Sequence, residues 1–299
     1  MRLFPSSSTV VQGSLFQTLH NNNQHNGTII MSSDDSDENE EEQFIQEPMT
    51  KKLKSTSGIE IGSTPLELAP SVVSTKSKKQ VPRIIVLLDQ ATLETVKNRK
   101  GIYELLNCDD HRDVCKKKLH KDPNDFRPDI LHQEFLALMD SPLNKAGLLQ
   151  IYISTVKGVL IEVNPETRIP RTFKRFAGLM VQLLHKMKIK AGTESTTLLK
   201  VVKNPFSTHL PAGTRCYGMS SQGTLYCPIA LAKALVPTTD EVEQSPPTCF
   251  IVGAMSSGHV TVNDHPYIEK MISVSEYPLS GAAALSRIMG GIEHHWGIV

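Results

Sequence analysis

The stretch "RIPRTFKRF", residues 168 to 176, sets three arginines and a lysine beside two phenylalanines. Seven Lys or Arg and no Asp or Glu fall between Thr167 and Lys190. Arg171 and Arg175 are four apart, a spacing that places them on one face at the start of a helix. Cations there oppose the helix dipole, which favours negative charge at that end. An anionic partner whose phosphates meet both the arginines and the helix N-terminus would resolve the conflict, and arginine also stacks on bases and grips phosphate through two donors. A solvated basic face is the other reading of the same residues.

A second group of residues could hold a small molecule. "CFIVGAMSSGH" is a buried strand running into Gly253-Ala-Met-Ser-Ser-Gly258. Glycines let a ligand come close to the backbone. His259-Val260 stand where a phosphate-cradling loop needs Lys-Ser/Thr, so a nucleotide triphosphatase is excluded, and the dinucleotide pattern GxGxxG is absent. Further on, "SVSEYPLSGAAALSRIMGGIEHHW" combines an extended loop, Val274 to Leu279, with a helix of small residues that Ser280 can cap. Each piece alone is consistent with an ordinary turn and a close-packed helix. Together they could line one pocket at the carboxyl ends of parallel strands. A third cluster, Cys108, His111, Cys115 and His120, offers metal-ligand types, but its spacing fits no standard zinc site, and no metal is expected.

These groups need a scaffold. "PRIIVLLD", "LLQIYIST", "VLIEV", "LLKVVK", "TRCYGMS" and "TCFIVGAM" read as strands. "ATLETVKNRK" reads as helical, as do "PDILHQEFLALMD" and Thr172 to Lys188, whose Phe173, Phe176, Met180, Leu183, Leu184 and Met187 form one stripe. "ALAKALVP" and a final segment from about Ser280 complete the helices. Alternating strands and helices predict an α/β fold with a mostly parallel sheet.

Residues 1–80 differ. They are rich in Ser, Thr, Asn and Gln, and "DDSDENEEE" puts seven acids into residues 34 to 42. Such a segment cannot bury enough apolar surface to offset its ordering entropy, so a disordered acidic tail is expected ahead of a folded domain at 81–299. "KKLK" at 51–54 and "KSKK" at 76–79 are either nuclear import signals or part of a solvated tail. With 32 Lys+Arg against 31 Asp+Glu, overall charge points to no partner class, and local distribution must decide. Five scattered cysteines fit a reduced, intracellular protein. The opening "MRLFPSSSTVVQG" lacks the apolar core of a secretory signal, and no apolar run reaches the roughly 20 residues of a membrane span.

From about Arg83 to Val299 the chain resembles the ribosome-biogenesis pseudouridine-N1-methyltransferases of the SPOUT class. The blocks are "RPDILHQEFLALMDSPLNKAGLLQIYI", "VLIEVNPETRIPRTFKRFAGLMVQLLHKM", "LLKVVKNP", "YPLS" and the closing "WGIV". The resemblance implies a SPOUT fold with a C-terminal trefoil knot and S-adenosyl-L-methionine as methyl donor. It also implies a homodimer, small-subunit rRNA as substrate, pre-ribosomal assembly factors as partners, and work in the nucleus and nucleolus. By the same resemblance, Arg127, Arg168, Arg171 and Arg175 contact rRNA, with Asp129 beside Arg127. Gly253, Gly258, Val274, Ser275, Glu276, Tyr277, Pro278 and Leu279 would hold the donor, with Ser221 as a further contact. Asp129 is either the base that takes the N1 proton or the partner that orients Arg127; an adjacent arginine lowers a carboxylate's pKa and favours the second role. A non-catalytic RNA-binding assembly factor is the alternative function, and an interaction module driven by the acidic tail is a further one.

Overall fold

The computed structural model describes residues 83–192 and 196–299. The expected acidic tail and both lysine runs lie outside the described residues. In chain order the strands and helices are β1 (Ile84–Ala91), β2 (Thr95–Lys97), β3 (Tyr103–Leu105), α1 (Arg112–Val114), α2 (Pro128–Asp140), α3 (Pro142–Lys145), β4 (Leu149–Thr155), β5 (Leu160–Val163) and α4 (Phe173–Lys186). They continue with β6 (Lys188–Lys190), β7 (Thr197–Val202), β8 (Arg215–Leu225), α5 (Pro228–Leu235), β9 (Thr248–Gly253), β10 (Ile268–Ser273) and α6 (Gly281–Trp296).

Eight strands form one sheet in the order β10-β8-β9-β1-β4-β5-β7-β6. The first five run parallel, and β5, β7 and β6 extend the sheet antiparallel. The α/β expectation with a mostly parallel sheet therefore holds. β1 lies at the centre, and its side chains alternate between two apolar layers as the two-residue period of a strand requires. Ile84, Val86 and Leu88 face the larger layer, with Phe135 of α2, Met180 of α4 and Ile288 of α6. Ile85 and Leu87 face a smaller one, with Tyr152, Phe206, Cys249 and Val260. A strand covered on both faces must be apolar throughout, which is why "IIVLL" reads as a continuous run.

"ATLETVKNRK" is not a helix. Thr95–Lys97 pairs antiparallel with Tyr103–Leu105. The Asn98 side chain accepts from the backbone N–H of Lys100 and Ile102, and Gly101 takes φ +82°, which closes the turn. Tyr103 packs edge-on to His185 of α4, with centroids 4.4 Å apart. Helix-forming side chains here yield to a turn and to tertiary packing. α4 starts as read, with Thr172 at its N-cap, so Arg171 precedes the helix and Arg175 lies on it, but it ends early at Lys186: Met187 is a left-handed C-cap, 56% exposed and outside the apolar stripe, because the chain turns there into β6.

α6 packs closely on α2 and α5. The approach to α2 depends on Gly281, because a Cβ there would stand 1.9 Å from Oε1 of Glu134.

Candidate active site and RNA-facing surface

A cavity of about 250 Å³ opens at the carboxyl ends of β8, β9 and β10, against the start of α6. Three chain segments build it. β9 ends at Gly253 and leads into the loop that carries Met255, Gly258 and Val260. Gly258 has φ +98°, a conformation that side chains with a Cβ rarely adopt, so the loop needs glycine there. Gly253 is different: a Cβ would meet Cε of Met255 at 2.4 Å, the far end of a flexible side chain.

The second segment is an irregularity in β8. Its register against β10 jumps from Gly218↔Met271 to Thr224↔Ile272, so residues 219–223 leave the ladder. Met219, Ser220 and Ser221 of this bulge line the cavity. The third segment follows β10, where Ser273, Val274, Ser275, Tyr277, Pro278 and Leu279 contribute, then Gly281 and Ala284 of α6. The Ser273 hydroxyl donates to the Ser275 carbonyl (2.9 Å), and the Ser280 side chain accepts from Ala283 N–H (3.3 Å), which fixes the turn into the helix. Arg287 of α6 donates from Nε to the Val274 carbonyl (3.2 Å).

The structure thus brings together Ser221, Gly253, Gly258, Val274, Ser275, Tyr277, Pro278 and Leu279. Glu276 is exposed and does not line the cavity. Sequence reading missed Met219, Ser220, Met255, Ser273 and Ala284, because β10 was not recognised and a bulge has no periodic signal. The walls suit an S-adenosyl group: apolar side chains for a base and thioether, hydroxyls and free loop backbone for polar ends, and no bulky side chain at 253, 258 or 281.

Two of the arginines pair with acids near the two ends of α2. At its start, Arg127 donates from Nε to Oδ1 of Asp129 (2.8 Å) and from Nη2 to Oδ2 (2.7 Å). This bidentate pair holds the Asp129 carboxyl below the usual carboxylate range. In mid-helix, the His132 ring bonds the Pro170 carbonyl (Nε2–O 2.8 Å) and stacks on Phe176. At the end of α2, Asp140 forms an ion pair with Arg171, which includes Nη2–Oδ1 at 3.0 Å. The basic segment is therefore not free of acids, because α2 supplies one that lies far away in sequence.

Arg168 and Arg175 are exposed and have no carboxylate partner among the described residues. Their backbone is anchored, with Ile169 buried and the Thr167 hydroxyl donating to the Leu198 carbonyl (2.9 Å). One free cation on a fixed loop, one on the first turn of α4, and two more held by acids about 16 Å apart along α2 suit an extended polyanion.

The Cys/His cluster does not converge. His111 pairs with Glu104 (Nε2–Oε2 3.1 Å), while Cys115 is buried beside Leu106 and Phe126. Among the described residues, no three metal-ligating side chains come together.

The model of one family, EMG1/NEP1 methyltransferase, matches residues 86–293. The chain belongs to the EMG1/NEP1 methyltransferase family. Among its relatives is the human "Ribosomal RNA small subunit methyltransferase NEP1", 51% identical over 217 residues, covering 73% of this chain and 83% of the relative. The Drosophila melanogaster protein of the same name is 49% identical over 219 residues, covering 73% and 84%. The Staphylothermus marinus Nep1 is 31% identical over 194 residues, covering 61% and 76%. The crystal structure of Archaeoglobus fulgidus Nep1 bound to S-adenosylhomocysteine superposes with a TM-score of 0.56 at 24% identity, covering 70% of this chain and 97% of that one, and so shares its fold. The matched region contains the cavity and all four arginines.

Proposed function

We propose that this EMG1/NEP1 family member transfers a methyl group from S-adenosyl-L-methionine to N1 of a pseudouridine in small-subunit rRNA. The observation that carries the reading is the cavity at the strand ends, walled by the glycines and the 274–279 loop, with α2, whose terminal acids hold Arg127 and Arg171, packed on its α6 wall. The names of the relatives supply the rRNA substrate, and the S-adenosylhomocysteine held by the archaeal Nep1 supplies the donor class. Pseudouridine, unlike uridine, exposes a ring N1–H.

Bound S-adenosylmethionine would supply an activated sulfonium methyl. The protein's task is alignment and exclusion of water, which can be worth roughly 7–11 kcal/mol of barrier. Gly253, Gly258 and the 274–279 backbone bind and orient the donor. Arg168 and Arg175 grip phosphates, and Arg127 and Arg171, aimed by Asp129 and Asp140, help splay the target base toward the cavity. Asp129 acts by orienting Arg127. Both of its oxygens are engaged and its basicity is reduced, so it is poorly suited to accept the N1 proton.

The folded domain spans residues 81–299, its C-terminal part threaded as a trefoil knot around the donor site. The enzyme works as a homodimer; the exposed apolar Tyr277 and Leu279 at the cavity rim support a second copy's covering that edge. It serves small-subunit assembly in the nucleus and nucleolus beside other assembly factors. Among the described residues no helix is long and apolar enough to cross a membrane. The test is incubation with labelled S-adenosylmethionine and paired rRNA hairpins that differ only in pseudouridine or uridine at one position. Label in the pseudouridine hairpin alone is expected; label in neither, with both hairpins bound, would leave a non-catalytic assembly factor.

A further inference from the structure

Glu134, in the middle of α2, stands out among the ionisable groups of the described residues. It is 1% exposed, and neither carboxyl oxygen has a hydrogen-bond partner among the described residues. Buried polar groups are almost always paired, so an unpaired carboxyl calls for a reason. Its position supplies one. Oε1 lies against Gly281, in the space a Cβ would otherwise take, and Gly281 and Ala284 form the α6 wall of the donor cavity. The carboxyl is thus separated from the cavity by a single backbone segment without a side chain.

No other charge satisfies it. From α6, Arg287 is exposed and donates its Nε to the Val274 carbonyl, and Glu293 accepts from Leu143 N–H. On α2 itself His132 bonds the Pro170 carbonyl, Asp129 pairs with Arg127 and Asp140 with Arg171. From α4, Lys174 and Arg175 are exposed; from α3, so is Lys145; from β1, Asp89 pairs with His265. Burial alone acts on Glu134, and it pushes the carboxyl up to about 8.

We propose that Glu134 is a positioning residue of the donor site that senses the charge of the bound ligand through the Gly281 wall, giving up its proton when a cationic sulfonium donor is seated and regaining one when the ligand is the uncharged thioether product. This rests on the donor reading of the cavity. The proton balance closes. Seating the donor releases a fraction of a proton from Glu134 to solvent, about half a proton per site near pH 7.5 for a one-unit shift. Methyl transfer turns the sulfonium into a thioether and frees the N1 proton, while Glu134 takes that fraction back from solvent. The site's charge is thereby partly compensated. The donor is favoured over its product where Glu134 can ionise, which helps product leave.

The consequence is a pH-dependent preference. If the sulfonium lowers the Glu134 pKa by about one unit, donor affinity relative to product affinity rises about tenfold between pH 6 and pH 9. The experiment is calorimetric titration of the full chain with S-adenosylmethionine and, separately, S-adenosylhomocysteine across that range, each in two buffers of different ionisation enthalpy. Expected are a rising donor-to-product affinity ratio and proton release with the donor but not the product. Glu134→Gln should flatten the ratio. Two bound ligands with a pH-independent ratio and no difference in proton release would overturn the role of Glu134 while leaving the donor site intact. Failure of either ligand to bind would overturn the donor reading itself. The buffer comparison needs only the wild-type chain, so the test stands even if Glu134→Gln does not fold.

Discussion

Replacing Glu134 by glutamine should change how stability depends on pH by an amount the structure fixes. The folded-state pKa of Glu134 lies near 8, above its ordinary value of 4.5. The unfolded chain therefore loses this proton first. Below pH 4.5 both states are protonated and the group is neutral in its effect. As pH rises from 4.5 to 8, the unfolded state gains from ionisation while the folded state does not, so stability falls; above 8 the loss is complete and constant. Between pH 5 and pH 8 the difference is about 3–4 kcal/mol, at 1.36 kcal/mol per pKa unit. Glutamine cannot ionise, so the variant lacks this loss. It carries an unpaired buried amide instead, a cost that does not vary with pH. The readout is thus the slope of the stability difference against pH, not its offset. Glu293, also raised by burial, and Asp129 and Glu104, both lowered by hydrogen bonds, titrate in both proteins and cancel. The chain has one tryptophan, Trp296, which is 4% exposed with its indole N–H bonded to the Pro237 carbonyl (2.9 Å), so urea unfolding can be followed by its fluorescence. The stability of Glu134→Gln relative to wild type should rise by about 3–4 kcal/mol from pH 5 to pH 8. A difference that stays flat would show that Glu134 is not a buried neutral carboxyl, and would remove the basis for its link to the donor site.

Gly281→Ala places a Cβ 1.9 Å from Oε1 of Glu134 and should cost about 1–3 kcal/mol in urea unfolding. Combining it with Glu134→Ala should recover most of that loss, and strict additivity in the double-mutant cycle would contradict the packing described. Asp129→Asn should weaken RNA binding by loosening Arg127 yet leave the pH profile of methyl transfer unchanged. A rate loss of 10²–10⁴-fold with normal RNA binding would instead make Asp129 the general base.

Much of this molecule is legible in its amino-acid order because its central strands are covered on both faces. "IIVLL" and "CFIV" can be little else than buried strands, and the apolar stripe of α4 follows directly from its period. The glycine loop, which follows a readable strand, and the 274–279 segment, an extended loop before a capped helix, were also readable as two walls of one pocket, since both carry residues that fix backbone shape. What was hidden depends on contacts between distant parts of the chain. Thr95–Lys97 is a strand only because Tyr103–Leu105 lies beside it and α4 supports the hairpin. Residues 219–223 become a cavity wall only because the β8–β10 register slips. Asp140 answers Arg171 from the far end of another helix, so the apparent excess of charge in "RIPRTFKRF" is partly balanced in the fold. Glu134 reads as one polar residue in a helix until Gly281 is packed against it.

The most direct test of the central claim, that a glycine-walled cavity holds the donor while a separate arginine surface holds the RNA, is titration of wild-type, Gly253→Leu and doubly substituted Arg168→Ala/Arg175→Ala proteins with S-adenosylhomocysteine and with a pseudouridine-bearing rRNA hairpin. A side chain at 253 must displace Met255, whose Cε lies 2.4 Å from the new Cβ and which itself lines the cavity. Gly253→Leu should lose the small ligand and keep the hairpin. The arginine variant should keep the small ligand, bind the hairpin more weakly and show a salt dependence reduced by roughly one unit of slope per lost phosphate contact. Loss of both ligands in either folded variant, or a wild-type protein that takes up no S-adenosylhomocysteine, would contradict the division between the two sites.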